Sequence, residues 1–185
     1  MAGETEKYDG FSNYETWAAC VLLTYLEETL TYWLAEAEAV RRAVRRAGAD
    51  GPEAEACRRL LAERLRRMDR AGGRGQAPGV RWEEIAGELL FEPPPVRRER
   101  FPLGRQVITR GAFDALTPLD VCVGVVLHSR GTWGELDEED CEGNERALRG
   151  GGRLFSAYHA RDGTRFYVVT EHDRSVTTVC LAGEY

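Results

Sequence analysis

The sequence predicts an α+β protein: an N-terminal helical hairpin or bundle, then a small α+β domain in which an antiparallel β-meander packs on helices. Three observations carry this. Apolar residues recur at steps of three and four through the N-terminal half, as on one face of a helix. Glu92-Pro93-Pro94-Pro95 then stops any helix, because proline lacks the N–H and disfavours the α region in the residue before it. Near the C-terminus, three apolar runs are separated by turn residues, the pattern of consecutive strands. These breaks divide the chain into a helical domain over 1–92, a Pro/Arg-rich linker over 93–104 and a small acidic α+β domain over 105–185.

In order along the chain, Ser12 and Glu15 have the spacing of a capping box and predict a helix start. Leu22, Leu26, Leu30, Trp33, Ala37, Val40 and Val44 form one apolar stripe along a long helix or two consecutive ones. Tyr14, Trp17, Val21 and Tyr25 add a second stripe, so the first turns should be largely buried. Ala47–Pro52 reads as a turn. Cys57, Leu60, Leu61, Leu65 and Met68 repeat at helical spacing, and an antiparallel hairpin is the economical arrangement. A Gly-rich connector, Ala71–Gly79, leads to a short third helix carrying Trp82, Ile85, Ala86 and Leu89.

The C-terminal part predicts a strand at Arg105–Thr109 and a helical turn at Ala112–Leu116. Leu119–His128 is apolar at nearly every position and fits a buried helix or a buried strand. Thr117-Pro118 as cap and first residue favours the helix. Leu136–Arg149 is acidic first and basic last, matching a helix dipole, and Gly150-Gly151-Gly152 ends it. Strands follow at Arg153–His159, Thr164–Glu171 and Ser175–Leu181, joined by turns at Asp162-Gly163 and Asp173-Arg174.

With 185 residues and 43% hydrophobic content, the chain has the composition of a globular protein. No apolar run approaches the roughly 20 residues needed to cross a bilayer. The acidic start, Met1–Asp9, is the opposite of a basic signal-peptide start, so a cytoplasmic address with no membrane partner is expected. Five Cys without a C-x-x-C pair predict neither a disulfide framework nor a zinc ribbon. Cys20, Cys122 and Cys180 lie in apolar segments and should be small buried hydrophobes.

The net charge of −6 hides a segregation. Residues 1–38 hold eight acids and one base (−7), residues 39–110 ten acids and seventeen bases (+7), and residues 111–185 thirteen acids and seven bases (−6). Arg41, Arg42, Arg45 and Arg46, with Arg58, Arg59, Arg64, Arg66 and Arg67, could grip phosphates. Interleaved Glu38, Glu53, Glu55, Glu63 and Asp69 instead predict a salt-bridged, solvated face. Glu135, Asp137, Glu138, Glu139 and Asp140 make an acidic run that lacks the spacing of a calcium loop. It reads as a solvated helix N-terminus, or as a surface that engages a basic partner, with Trp133 as an anchor.

His128, His159 and His172 are dispersed, and no cofactor or metal is expected. An enzyme site assembled from His128, Asp173 and Arg174 would have no motif behind it. Neither a nucleophile elbow nor a phosphate loop nor a dinucleotide fingerprint is present.

Two stretches resemble known sequences. Tyr8-Asp9-Gly10-Phe11-Ser12-Asn13-Tyr14-Glu15-Thr16-Trp17 resembles the opening of small phage and plasmid proteins of unknown function. Thr132–Asp140, Asn144, Leu154–Tyr158 and Thr170–Val179 are similar to the C-terminal domain of uncharacterised plasmid-related proteins. That pattern has Ala at the place of His172, which counts against a catalytic His172. The resemblance brings no established activity with it and implies a mobile-element accessory protein. Together with the acidic faces and the absence of catalytic motifs, the expectation is a non-enzymatic protein that binds a host protein or complex, as an anti-CRISPR or anti-restriction inhibitor would. The alternative is a nucleic-acid-binding accessory protein that uses the Arg-rich hairpin. Oligomeric state is not legible.

Overall fold

The computed structural model describes residues 8, 10–25, 27–46, 53–71, 79–91 and 98–185. The chain is α+β and divides into two compact units, Met1–Arg97 and Arg98–Tyr185, each with its own hydrophobic core.

The first unit is helical, with α1 (Tyr14–Leu23), α2 (Glu27–Arg46), α3 (Glu53–Ala71) and α4 (Trp82–Phe91). The apolar stripe belongs to two consecutive helices. α1 ends at Leu23 with Thr24 as its C-cap, and α2 buries Leu30, Trp33, Ala37, Val40 and Val44. Leu26, the turn at 47–52, the connector residues 72–78 and Glu92–Pro95 lie outside the described residues. α2 is about 30 Å long, whereas six residues reach about 20 Å at most. The short connection therefore sends α3 back antiparallel to α2, and the two helices pack together. Of α1, Tyr14, Thr16, Ala18 and Cys20 are buried, while Trp17 and Val21 are half-buried.

The expected capping box of Ser12 and Glu15 does not form. Asn13 is the N-cap of α1, accepting from the Thr16 N–H at 2.9 Å. Ser12 instead donates its N–H and hydroxyl to the Glu84 carboxylate, at 2.9 and 2.6 Å. Asn13 Nδ2 donates to the Gly79 carbonyl, and the Arg81 N–H donates to Thr16 Oγ1, both at 2.9 Å. The polar residues of the Ser-Asn-Tyr-Glu-Thr stretch thus tie the start of α1 to the start of α4. Beside them, Tyr8, Tyr14 and Trp17 form an aromatic cluster with ring centroids 5.6 to 6.1 Å apart.

The second unit contains β1 (Arg105–Ile108), α5 (Arg110–Ala115), α6 (Pro118–Ser129), α7 (Glu138–Gly150), β2 (Leu154–His159), β3 (Arg165–Thr170) and β4 (Val176–Leu181), then a short 3-10 turn at Ala182–Glu184. β2, β3 and β4 form the expected antiparallel meander. β1 adds to it in parallel with β4, so the sheet is mixed, in the order β1-β4-β3-β2. Of the stretch read as a linker, 93–97 lie outside the described residues, and Phe101 and Leu103 are buried in this second core.

α6 starts as its sequence indicates. Thr117 and Asp120 form a reciprocal capping box, with Pro118 in the first turn. The helix lies so close to the sheet that a Cβ on Gly124 would sit 2.6 Å from the Phe166 ring. Cys122 departs from expectation. It is exposed, on the side of α6 turned away from the core, whereas Cys20, Cys57 and Cys180 are buried.

The outer edge of β2 is closed by side chain and loop. Asn144 of α7 acts as a surrogate strand, its Nδ2 donating to the Phe155 carbonyl at 2.6 Å and its Oδ1 accepting from the Phe155 N–H at 3.0 Å. Two residues on, the Ala157 N–H donates to the Trp133 carbonyl and the Glu135 N–H to the Ala157 carbonyl. Gly134 between them has φ +71°, and a Cβ there would lie 1.9 Å from the Ala157 oxygen, so only glycine fits. An unpaired edge invites pairing with other chains, and this one is occupied. Asn144→Ala is expected to cost about 1–3 kcal/mol, because it leaves a half-buried N–H and C=O without partners; urea unfolding measures this, and an unchanged midpoint would contradict it.

Candidate interaction surfaces

The acidic run becomes the start of α7. Asp137 is the N-cap, accepting from the Asp140 N–H at 2.9 Å, and Glu138, Glu139 and Asp140 occupy the first turn. All four are exposed, as is Glu135, whose carboxylate lies 2.7 Å from His159 Nδ1. Among the described residues, no cation forms a salt bridge with Glu138, Glu139 or Asp140. Further along α7 the carboxylates are engaged: Glu142 pairs with Arg146, and Glu145 forms a two-point bridge with Arg100 at 2.7 Å. The Arg100 hydrogen bonds hold the Glu145 carboxyl below the usual carboxylate range.

Trp133 is not a surface anchor. It is 6% exposed, stacks on Phe101 and donates its indole N–H to Glu145 at 3.2 Å. A ring committed to its own core presents little area to a partner.

His128 is fully buried. Its Nδ1 lies 2.6 Å from Ser156 Oγ and its Nε2 2.9 Å from Thr170 Oγ1. From Thr170 the chain of contacts runs to Thr177 Oγ1 at 2.7 Å, which donates to the Leu103 carbonyl at 2.6 Å. Asp173 caps its own turn, accepting from the Ser175 N–H and hydroxyl. Arg174 has φ +59° and donates to the carbonyls of Gly152, Glu171 and Ala147, with its guanidinium over the Phe101 ring. His128, Asp173 and Arg174 each hold structure in this unit, and His172 is exposed on the same turn as Asp173. Among the described residues, no group of three or more His, Cys, Asp or Glu could hold a metal ion. Nor is any described helix long and apolar enough to cross a membrane.

On the helical unit, carboxylates meet many of the arginines. Glu38 pairs with Arg41 and Arg42, Glu63 with Arg67, Glu36 with Arg64, and Glu83 with Arg66. The Arg66 hydrogen bond holds Glu83 below the usual carboxylate range. Arg58 lies over the Phe91 ring, and Arg45, Arg46 and Arg59 are exposed. Cations paired this way have little net field to offer a phosphate backbone. The distribution was not readable from spacing alone, since two of these partners come from another helix.

In a comparison with known protein families, curated proteins and solved structures, the chain gives no match.

Burial, and secondly the charge of Arg174, pushes the His128 pKa down from 6.5 to about 3. The unfolded chain takes up a proton near the ordinary value and the folded chain only near the lowered one. Stability present above about pH 6.5 is therefore lost as pH falls toward about 3, by at most about 1.4 kcal/mol per pH unit for one group. Between about pH 6.5 and 5, before most carboxylates titrate, chemical denaturation should show this slope in the native protein and not in His128→Gln; equal slopes would contradict it.

Proposed function

We propose that the chain is a binding protein that docks the acidic end of α7 onto a basic, nucleic-acid-binding surface of a host protein. In that role it acts in the cytoplasm as a mobile-element inhibitor of a host defence system such as CRISPR or restriction. The observation that carries this reading is the exposed start of α7, where Glu138, Glu139 and Asp140 stand beside Glu135 and Asp137 without a described cation to neutralise the first three. Grouped like charge of this kind speeds association with an oppositely charged surface and excludes partners of the same sign. The Arg-rich helices are less suited to binding, because their charge is largely answered within the unit. The phage and plasmid setting rests on the sequence resemblance.

The test is affinity capture from nuclease-treated host lysate, comparing the native chain with Glu135→Lys/Glu138→Lys/Glu139→Lys. These three side chains are exposed, and the variant keeps the Asp137 cap, so the fold should survive. A basic protein held by the native chain, released as salt rises and lost from the variant by tenfold or more, is expected. Capture of the same proteins by both would sink the reading.

A further inference from the structure

The strand register assigns side chains to the two faces of the sheet. Ser156 and Thr170 contact His128 of α6, so they and the residues alternating with them form the inner face. Phe155 and Tyr167 belong to the outer face, on neighbouring strands, with ring centroids 4.7 Å apart. Both are half-buried. Tyr185 lies against them, 5.4 Å from Phe155 and 5.9 Å from Tyr167, and is itself 63% exposed. Its phenol oxygen accepts from Arg153 at 3.0 Å. The outer face thus already seats one flat ring and binds that ring's oxygen with a guanidinium.

Cations stand at both ends of this aromatic strip. Arg105 and Arg153 lie at one end, where Arg105 is level with Val176 and Val176 with Glu171. Arg165 lies at the other, its guanidinium 5.5 Å from the Tyr167 ring centre. Of the carboxylates at the first end, Glu171 is bridged to Arg153 at 3.4 Å, and Asp173 accepts from the Ser175 N–H and hydroxyl within its turn. Glu135 stands beside His159 at the far end. Among the described residues, no carboxylate forms a salt bridge with Arg105 or Arg165. Arg153 and His159 bound β2, so the strip is about 20 Å long at roughly 3.3 Å per residue.

We propose that this outer face stacks the bases of a single-stranded nucleic acid on the aromatic cluster of Phe155, Tyr167 and the exposed Tyr185, with Arg105 and Arg165 on the phosphates. Flat aromatic rings on adjacent strands offer π-faces to any base, and guanidinium groups at the margins meet the backbone. A double helix keeps its bases stacked on one another and presents none to such a surface. The site borders the acidic end of α7, where Glu135 meets His159, but uses none of its carboxylates.

Labelled uridine RNA and thymidine DNA of about 12 nucleotides, and a DNA duplex, are titrated with the full chain at low salt by fluorescence anisotropy. Single strands should bind and the duplex should not. Tyr167→Leu and Phe155→Leu should each weaken binding about fivefold or more. Arg165→Glu, exposed and free of any fold-bearing contact but the Tyr167 ring, should weaken it and lower the salt slope by roughly one. Circular dichroism of Arg165→Glu confirms that the fold is intact. A preference between the two single strands identifies RNA or DNA as the ligand. Absence of single-strand binding, equal binding of the duplex, or retention of affinity in all three variants overturns the proposal. So does loss of binding only when Arg45, Arg46 and Arg59 are replaced.

Discussion

An imidazole buried between a helix and a sheet has to be neutral and has to have both nitrogens answered, since a bare polar group in a core costs free energy that nothing else returns. His128 meets both conditions through Ser156 on β2 and Thr170 on β3. This sets the rotation of α6 and its height above the strands. It also requires small hydroxyl side chains at those two inward positions and brings Thr177 of β4 into the same chain. The close contact of Gly124 with Phe166 follows from that height. Phe101 and Trp133 pack on the imidazole from the side, so the segment before β1 and the loop before α7 are placed by it as well.

Local signals in the sequence were readable because local physics decides them. Thr117-Pro118 starts α6, the acidic-to-basic gradient marks α7, and Asp-containing turns separate the strands. What could not be read depends on partners far away in the chain. Ser12 has the spacing of a cap, yet Glu84 takes both of its donors, and Asn13 caps the helix instead. β1 was visible as a strand, but its parallel partner is the last strand of the unit. Nothing in a row of residues marks Asn144 as a stand-in for a strand. Cys122 shows a limit of composition, because an apolar segment that makes a helix still turns one side outward.

The same contrast separates the candidate surfaces. The carboxylates at the start of α7 were legible as a solvated group, and they stand exposed there. Trp133 looked free because its neighbours are Gly and Thr, while the groups that bury it, Phe101 and Glu145, are distant in sequence. The arginines of α2 and α3 form a basic run on paper. In space, Glu36 and Glu83 reach Arg64 and Arg66 from other helices, adding to the pairs that Glu38 and Glu63 make within their own helices. The stretches around Ser12–Trp17, Thr132–Asp140, Asn144, Leu154–Tyr158 and Thr170–Val179 carry much of the folding chemistry: the latch of α1 on α4, the β2 edge, the hydroxyl partners of His128 and the Arg174 turn.

The strand order β1-β4-β3-β2 has a consequence for how the molecule is made. β4, synthesised last, is an interior strand, and β1, synthesised first, has no neighbour in the sheet except β4. While the chain is still emerging from the ribosome, β2 and β3 can close as a hairpin, but β1 waits with Leu103 behind it and nothing to pair with. Joining β1 to β4 closes a loop spanning most of the unit, the kind of long-range contact that slows folding. Until that moment the inner edge of β3 stands open, so the final strand is the step at which a nascent chain is most exposed to pairing with a neighbour on the same message.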